Sequence, residues 1–126
     1  MTSTAPNDDA EIPNSAPLWR RIFPGWWVAD EKIGGKRLSS MAFENSKDGS
    51  GTSVVLATES TMEHVLLGHN GYGIAELTAG SARAVGQGVR RVPLDGVPGH
   101  AQIEGVKNNP TKRALAKACV IVRAPA

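Results

Sequence analysis

The chain has 126 residues, of which 40% are hydrophobic and 21% are charged, and its net charge at pH 7 is +2. This length is that of one domain, and this balance excludes a wholly disordered chain. The longest apolar run, residues 118–122, is far shorter than the about 20 residues that cross a bilayer as a helix, so we predict no membrane-spanning segment.

The first segment, residues 1–17, contains three prolines and mostly small polar residues. It holds three of the twelve acidic residues and no basic residue. The rest of the chain therefore has fourteen basic against nine acidic side chains, a net charge of +5. Because such a segment buries too little apolar surface to offset the entropy lost on ordering, we predict a disordered tail over residues 1–17 and a single folded domain over residues 18–126.

Short extended segments are predicted for the first half of the domain. Residues 18–23 and 26–28 are apolar or aromatic in part, and a Pro-Gly turn separates them. Residues 52–57 predict a buried strand, because three large aliphatic residues are adjacent there.

Two helices are predicted after this strand. Ser60 and Glu63 have the spacing of a capping box, and Gly68 is placed to end a helix of about two turns. Residues 73–85 place aliphatic residues at helical spacing among many small residues, which predicts a second and longer helix.

The last third of the chain predicts a strand, a helix and a closing strand. Residues 100–106 alternate between polar and apolar side chains, which is typical of a strand. Pro110 suits the first turn of a helix that continues over residues 111–118, and the β-branched residues 119–122 favour a strand. Together these segments predict a single small α+β domain with short, mostly antiparallel strands and two or three helices.

One polar strand face is a candidate catalytic site. His100, Gln102 and Glu104 occupy alternate positions and therefore point the same way. A histidine with a carboxylate in reach can act as a general base, because the carboxylate orients the ring. The alternative interpretation is the solvated face of an antiparallel strand, which shows the same alternation.

An aromatic cluster near the start of the domain is a candidate binding surface. Five of the six aromatic residues fall in it, and Arg20 and Arg21 lie among them. Aromatic rings beside arginines can form a domain core, anchor a protein interface, or stack nucleic-acid bases. All three interpretations remain open. The five aromatic residues are Trp19, Phe23, Trp26, Trp27 and Phe43.

The C-terminal segment is basic, since no acidic residue follows Glu104. Lys112, Arg113 and Lys117 of the predicted helix are candidate anion-binding residues. Arg113 and Lys117 are four residues apart, so they share one helix face. The alternative is a solvated basic face. The basic residues of this segment are Lys107, Lys112, Arg113, Lys117 and Arg123.

We predict neither a metal site nor a cofactor. His64 and His69 are five residues apart, whereas two zinc ligands on one helix face are separated by four. The glycine-rich stretch around Tyr72 lacks the strand and the Lys-Ser or Lys-Thr pair of a phosphate-binding loop.

Several segments resemble a group of small, uncharacterised bacterial cytosolic proteins. The resemblance would cover most of residues 18–125. It implies a single domain in the bacterial cytosol, and it does not indicate any activity. The single cysteine, Cys119, is also typical of a reducing cytoplasm. The resemblance is seen in residues 35–43, 78–83, 86–89 and 98–101.

A second resemblance is to one class of ADP-ribosyltransferases. That class has, in order, an arginine on an early strand, a Ser-Thr-Ser segment, and a Gln/Glu-x-Glu pair on a later strand. The same order occurs here as Arg20 or Arg21, the pair Ser39 and Ser40, and residues 102–104, although methionine follows the serines. The resemblance implies that the arginine grips a nicotinamide dinucleotide and that Glu104 stabilises an oxocarbenium ion.

The leading functional prediction is a bacterial cytosolic binding or accessory protein that acts through a partner, with an anionic partner as one form of it. Homo-oligomerisation would also suit the aromatic cluster. One alternative is a small enzyme acting on a nucleotide or phosphodiester at His100 and Glu104. The other is a nucleic-acid-binding module.

Overall fold

The central element of the computed structural model, which describes residues 7–45 and 51–126, is a six-stranded antiparallel sheet. The strands in the described residues are β1 (Pro17–Ile22), β2 (Trp27–Asp30), β3 (Gly35–Leu38), β4 (Thr52–Leu56), β5 (Gly73–Thr78), β6 (Gly88–Arg91), β7 (His100–Glu104) and β8 (Val120–Arg123). The sheet has the spatial order β6-β7-β4-β1-β5-β8, whereas β2 and β3 form a separate hairpin.

Alternation along the strands gives the sheet two faces of different character. On the first, Leu18 of β1 lies opposite Leu56 of β4 and Leu77 of β5, and all three side chains are buried. Two helices, α2 (Ala79–Ala84) and α3 (Asn109–Ala118), cover this helical face, and Leu115 of α3 is fully buried against it. The main hydrophobic core therefore lies between the helical face and these two helices.

The opposite face is covered in part by the short helix α1 (Met62–Val65), and we call it the α1 face. Val65 of this helix packs against Val55 of β4 and Ile74 of β5 in a second, smaller core. Thr61 caps α1, because its side-chain oxygen accepts a hydrogen bond from the His64 N–H at 3.1 Å.

The predicted helix over residues 73–85 is wrong in its first half, which is the strand β5. All six residues of β5 pair with β1. Both faces of β5 are buried, so its apolar residues do not alternate and resemble a helical pattern. The helix α2 begins only after Thr78, whose hydroxyl accepts from the N–H of Ser81 at 3.1 Å.

A 3-10 segment, Ser40–Phe43, follows the hairpin of β2 and β3 in the chain and lies between the hairpin and α3. Phe43 of this segment is fully buried in the main core, and the segment packs directly against α3. At the base of the hairpin, Ser39 N–H donates to the carbonyl oxygen of Trp26 at 2.8 Å. These contacts fix the hairpin beside the helix.

Residues 7–17 lie against the sheet rather than forming the disordered tail that the sequence predicts. The carboxylate of Asp8 accepts from the N–H of Val89 at 2.8 Å, and Ile12 is only 4% exposed. Because β6 is the outermost strand on this side, these contacts cover its free edge. The folded body therefore begins before residue 18, and residues 1–6 lie outside the described part of the chain.

Polar contacts fix this N-terminal segment, which explains why its composition misleads. Arg83 donates from Nε to Asp8 at 3.0 Å, from Nη1 to Asn14 at 2.8 Å and from Nη2 to the Asp9 carbonyl at 2.9 Å. Burial acts to raise the pKa of Asp8, but the hydrogen bonds from Val89 and Arg83 outweigh it, so this pKa lies below its ordinary value. Acidic residues whose sequence context is typical of a solvated tail thus make specific contacts with the folded domain.

The fold class agrees with the prediction of a single small α+β domain: the described residues form mostly antiparallel strands and three α-helices. The predicted strand at residues 100–106 and the predicted closing strand correspond to β7 and β8. The longest helix, α3, has 10 residues, and no helix of residues 7–45 or 51–126 is long and apolar enough to cross a membrane.

Candidate functional site

A groove of about 480 Å³ lies between the hairpin and α3. Residues from both strands of the hairpin form one wall, and one face of α3 forms the other. Its lining residues are Asp30, Lys32, Arg37, Leu38, Ser40, Arg113, Ala116 and Lys117.

This groove is strongly basic. Four of its lining side chains are cationic, and Asp30 is the one acid among the described lining residues. Asp30 is already engaged, because its carboxylate lies 3.4 Å from Arg37 Nε and accepts the Lys32 N–H at 3.0 Å. The uncompensated positive charge therefore comes mainly from Lys32, Arg113 and Lys117, and it favours an anionic ligand.

The two helical cations reach the groove because of their spacing on α3. Arg113 and Lys117 are exposed and one helical turn apart, on the side away from the fully buried Leu115. Lys112 points elsewhere, since its Nζ lies 3.4 Å from Glu44 Oε1 and its side chain is only 17% exposed. Of the three helical residues predicted to bind, Arg113 and Lys117 therefore line the groove and Lys112 does not.

Lys107, from the same basic segment, is a structural cation. Its Nζ donates to Asn45 Oδ1 at 2.6 Å and to the carbonyl oxygen of Ile103 at 2.8 Å. Burial lowers the pKa of Lys107 to about 8, with Arg20 lowering it further and Glu104 opposing the shift. The basic segment is thus divided between ligand-accessible and structural residues.

Exposed apolar side chains flank the basic groove. Ile33 is 65% exposed at the hairpin turn, next to the lining residue Lys32. Met41 is 56% exposed and follows the lining residue Ser40. Protein interfaces combine an apolar core with a polar rim, and methionine and arginine are enriched in them.

The predicted aromatic and arginine surface lies mostly inside the protein. Arg20 shares the helical face with Leu18, and it donates from Nε to the Ala42 carbonyl at 2.8 Å and from Nη1 to the Ser53 carbonyl at 3.0 Å. Burial, with a smaller contribution from Arg21, lowers the pKa of Arg20 to about 10. Its guanidinium is therefore a structural group and does not face a ligand.

The remaining members of that predicted surface are also held by the fold. Arg21 lies on the α1 face and donates from Nη1 to the Val65 carbonyl at the end of α1, at 2.9 Å. Trp26 packs against the main core, and Trp27 is partly buried in β2, opposite Leu38. The structure thus does not bring Arg20, Arg21, Trp26 and Trp27 together as one exposed surface.

The predicted catalytic residues do share a face of β7, but the carboxylate does not orient the histidine. Glu104 Oε2 is paired with Arg90 Nε at 2.7 Å, and Gln102 Oε1 accepts the Gly51 N–H at 3.3 Å. His100 instead contacts the carbonyl oxygen of Val92 through Nδ1 at 2.8 Å. The proposed histidine–carboxylate pair is therefore wrong, although all three residues lie on the α1 face.

Sequence reasoning missed the serine that contacts this histidine. Ser53 Oγ lies 3.3 Å from His100 Nε2, and both residues are partly exposed. Ser53 sits at an alternating position in β4, where Gln102 of β7 is its cross-strand partner. Serine and histidine are 47 positions apart in the chain, so no local pattern reveals this pair.

The residues that resemble the ADP-ribosyltransferase pattern do not converge. Arg20 lies on the helical face, whereas Glu104 follows the buried Ile103 and lies on the α1 face. Ser40 lines the basic groove, on the side of the helices. The order of these residues along the chain is therefore not matched by a common site.

The described residues contain neither a cluster of metal ligands nor an activated thiol. Within residues 7–45 and 51–126, no group of three or more His, Cys, Asp or Glu side chains could hold a metal ion. Cys119 donates to the Leu115 carbonyl at 3.3 Å, and burial raises the pKa of its thiol to about 12. This thiol is thus a packed side chain and not an activated nucleophile.

Comparisons with protein-family models, with curated proteins and with solved structures each gave no match to this chain.

Proposed function

We propose that this protein is a cytosolic binding module that recognises an acidic protein partner through the basic groove between the hairpin and α3. The observation that carries the proposal is the convergence of Lys32, Arg37, Arg113 and Lys117 on one groove. These cations come from two separate elements that the 3-10 segment holds together. A cytosolic setting, in the bacterial cell that the sequence resemblance suggests, agrees with the single thiol.

The surroundings of the groove favour a protein partner over a nucleic acid. Ile33 and Met41 give the rim exposed apolar surface, which a protein partner can bury. Binding of single strands relies on exposed aromatic rings for stacking. Trp26 and Trp27, in contrast, are partly buried in the hairpin base and against the core.

The charge distribution also suits a compact contact. Four cations around about 480 Å³ match one or two acidic side chains and a short segment of backbone. Such contacts steer association and are weakened by salt, since the Debye length is about 8 Å at physiological ionic strength. We therefore expect the groove and the exposed apolar residues at its rim to contribute together to the affinity for the acidic partner.

Fluorescence anisotropy tests the proposal with a labelled ten-residue peptide that alternates glutamate and leucine. A peptide with glutamine for glutamate and a ten-nucleotide single-stranded DNA serve as comparison probes. We expect the acidic peptide to bind, the glutamine peptide to bind at least about tenfold more weakly, and the DNA to bind more weakly than the acidic peptide. Tighter binding of the DNA would contradict the choice of partner.

Charge reversals locate the binding site. Arg113→Glu and Lys117→Glu each should raise the dissociation constant of the acidic peptide by about tenfold. Arg123→Glu changes the net charge by the same amount at the exposed end of β8 and should have little effect. Equal weakening by all three variants would mean that only the net charge matters, which would remove the groove from the proposal.

A further inference from the structure

Ser53 and His100 form a hydroxyl–imidazole pair on the α1 face. The distance from Ser53 Oγ to His100 Nε2 is 3.3 Å, and that from His100 Nδ1 to the Val92 carbonyl oxygen is 2.8 Å. A carbonyl oxygen only accepts hydrogen bonds, so Nδ1 carries a hydrogen. In the neutral ring Nε2 is then an acceptor, and it is aimed at the serine hydroxyl.

The backbone around this serine is fixed on both sides. Arg20 Nη1 donates to the Ser53 carbonyl at 3.0 Å from the helical face. Val55, two residues further along β4, pairs with His100 across the strands. The serine and the histidine thus sit on paired strands in the middle of the sheet, and rigid elements hold their geometry.

A hydrogen-bond donor lies beside the pair. Gln102 is the direct cross-strand partner of Ser53, and it is only 8% exposed. Its Oε1 accepts the Gly51 N–H, whereas its Nε2 has no hydrogen-bond partner among the residues the structure describes. The Gln102 Nε2 is an amide donor on the same face as Ser53 and can stabilise an oxyanion that forms next to this serine.

We propose that Ser53 and His100 are the nucleophile and the base of an esterase-type site, with Gln102 as an oxyanion donor. Ser53 Oγ attacks the carbonyl carbon of a carboxylic ester while its proton moves to His100 Nε2. The ester C–O bond then breaks, and Nε2–H gives that proton to the departing alkoxide. Water then attacks the acyl carbon while His100 Nε2 takes one of its protons, the bond from the acyl carbon to Ser53 Oγ breaks, and Nε2–H returns the proton to Oγ, which releases the acid and restores the serine.

The substrate class follows from the neighbouring side chains. Trp19, the cross-strand partner of the buried Val55, is partly exposed on this face and offers apolar surface there. This surface suits an ester with a short apolar acyl group. The site is independent of the binding proposal, because the basic groove lies on the side of α3 and the pair lies on the opposite face of the sheet.

Two measurements test the assignment on the full-length protein. The first is the rate of p-nitrophenyl acetate hydrolysis, and the second is labelling by a fluorophosphonate probe, with the modified residue located by mass spectrometry. We expect the probe on Ser53, and we expect Ser53→Ala to abolish both labelling and catalysed hydrolysis. His100→Asn keeps an N–H for the Val92 carbonyl but no base, and it should slow both reactions at least about 100-fold.

Matched variants separate chemistry from folding. Ser15→Ala removes an exposed serine and should leave both rates unchanged. Gln102→Leu should lower the rate of hydrolysis at least about tenfold while the melting temperature stays within a few degrees of the wild type. If folded wild-type protein is labelled at Ser53 no faster than at Ser15, or if His100→Asn reacts at the wild-type rate, the assignment is overturned. If His100→Asn fails to fold, labelling and hydrolysis by Ser53→Ala decide between the outcomes.

Discussion

The guanidinium of Arg20 lies over the ring of Trp26, with 5.3 Å between Arg20 Cζ and the ring centroid. The same guanidinium donates to the Ala42 carbonyl in the 3-10 segment and to the Ser53 carbonyl in β4. One partly buried cation therefore connects the sheet, the hairpin base and the segment that contacts α3. This connection holds the hairpin where it forms a wall of the basic groove.

Replacement of Arg20 tests this connection. Arg20→Met leaves two carbonyl groups without their charged donor, and we expect it to lower the free energy of unfolding by about 2 to 4 kcal/mol. Arg20→Lys cannot reproduce the planar fork and should cost about 1 to 2 kcal/mol. Urea unfolding followed by tryptophan fluorescence measures both. Arg123→Lys, at an exposed position, is the control, and an equal loss there would argue against a structural role for Arg20.

The N-terminal segment contributes to stability through Ile12. Because this side chain is 4% exposed and packs in the main core, Ile12→Ala should lower the free energy of unfolding by about 2 kcal/mol. The matched control is Ile33→Ala at a site that is 65% exposed, where we expect a change below about 0.5 kcal/mol. Chemical denaturation measures the free energy of unfolding of both variants. Equally small losses for Ile12→Ala and Ile33→Ala would favour the disordered-tail interpretation.

The thiol of Cys119 should react slowly in the native protein. Burial raises its pKa to about 12, so the thiolate, which is the reactive form, is scarce at pH 8. We expect alkylation by iodoacetamide to be at least about 100-fold slower in native protein than in urea. Because the folded state keeps this proton at higher pH than the unfolded chain does, stability should also fall as the pH rises above about 9. Equal alkylation rates with and without urea would show that the thiol is accessible.

The sequence predicts those helices and strands whose residue pattern lies within one segment of the chain. The third helix is predicted because Pro110 and the helix formers after it act within one segment. Asn108 caps this helix, since its Oδ1 accepts the Thr111 N–H at 2.9 Å. The strand β7 is predicted because one of its faces is polar. In contrast, β5 is buried on both faces, so its apolar residues lack the alternation that marks a strand.

The sequence predicts only part of the candidate site, for the same reason. The spacing of Arg113 and Lys117 alone places them on one helix face, so the sequence predicts that they act together. Lys32 and Arg37 join them only because the hairpin packs beside α3, which no local pattern indicates. The pair of Ser53 and His100 likewise depends on the register between β4 and β7.

A substitution at Asp30 should strengthen binding to an acidic partner. The Asp30 carboxylate lies 3.4 Å from Arg37 Nε and competes with an anionic ligand for that cation. Asp30→Asn keeps an acceptor for the Lys32 N–H but removes the charge, so we expect the acidic peptide to bind about two- to fivefold more tightly. Glu31→Gln, a charge removal at the neighbouring exposed residue, should have a smaller effect. If both variants gain equally, the ion pair with Arg37 has no special influence.

The most direct test of the binding proposal is an NMR titration of isotope-labelled protein with the acidic peptide at low and at high salt. We expect the amide shifts to concentrate in the hairpin at residues 30–38 and in α3 around Arg113 and Lys117. We also expect these shifts to weaken strongly as salt rises from about 50 to about 300 mM, because salt screens the charged contacts. Shifts confined to the α1 face, or shifts that do not depend on salt, would exclude binding in the basic groove.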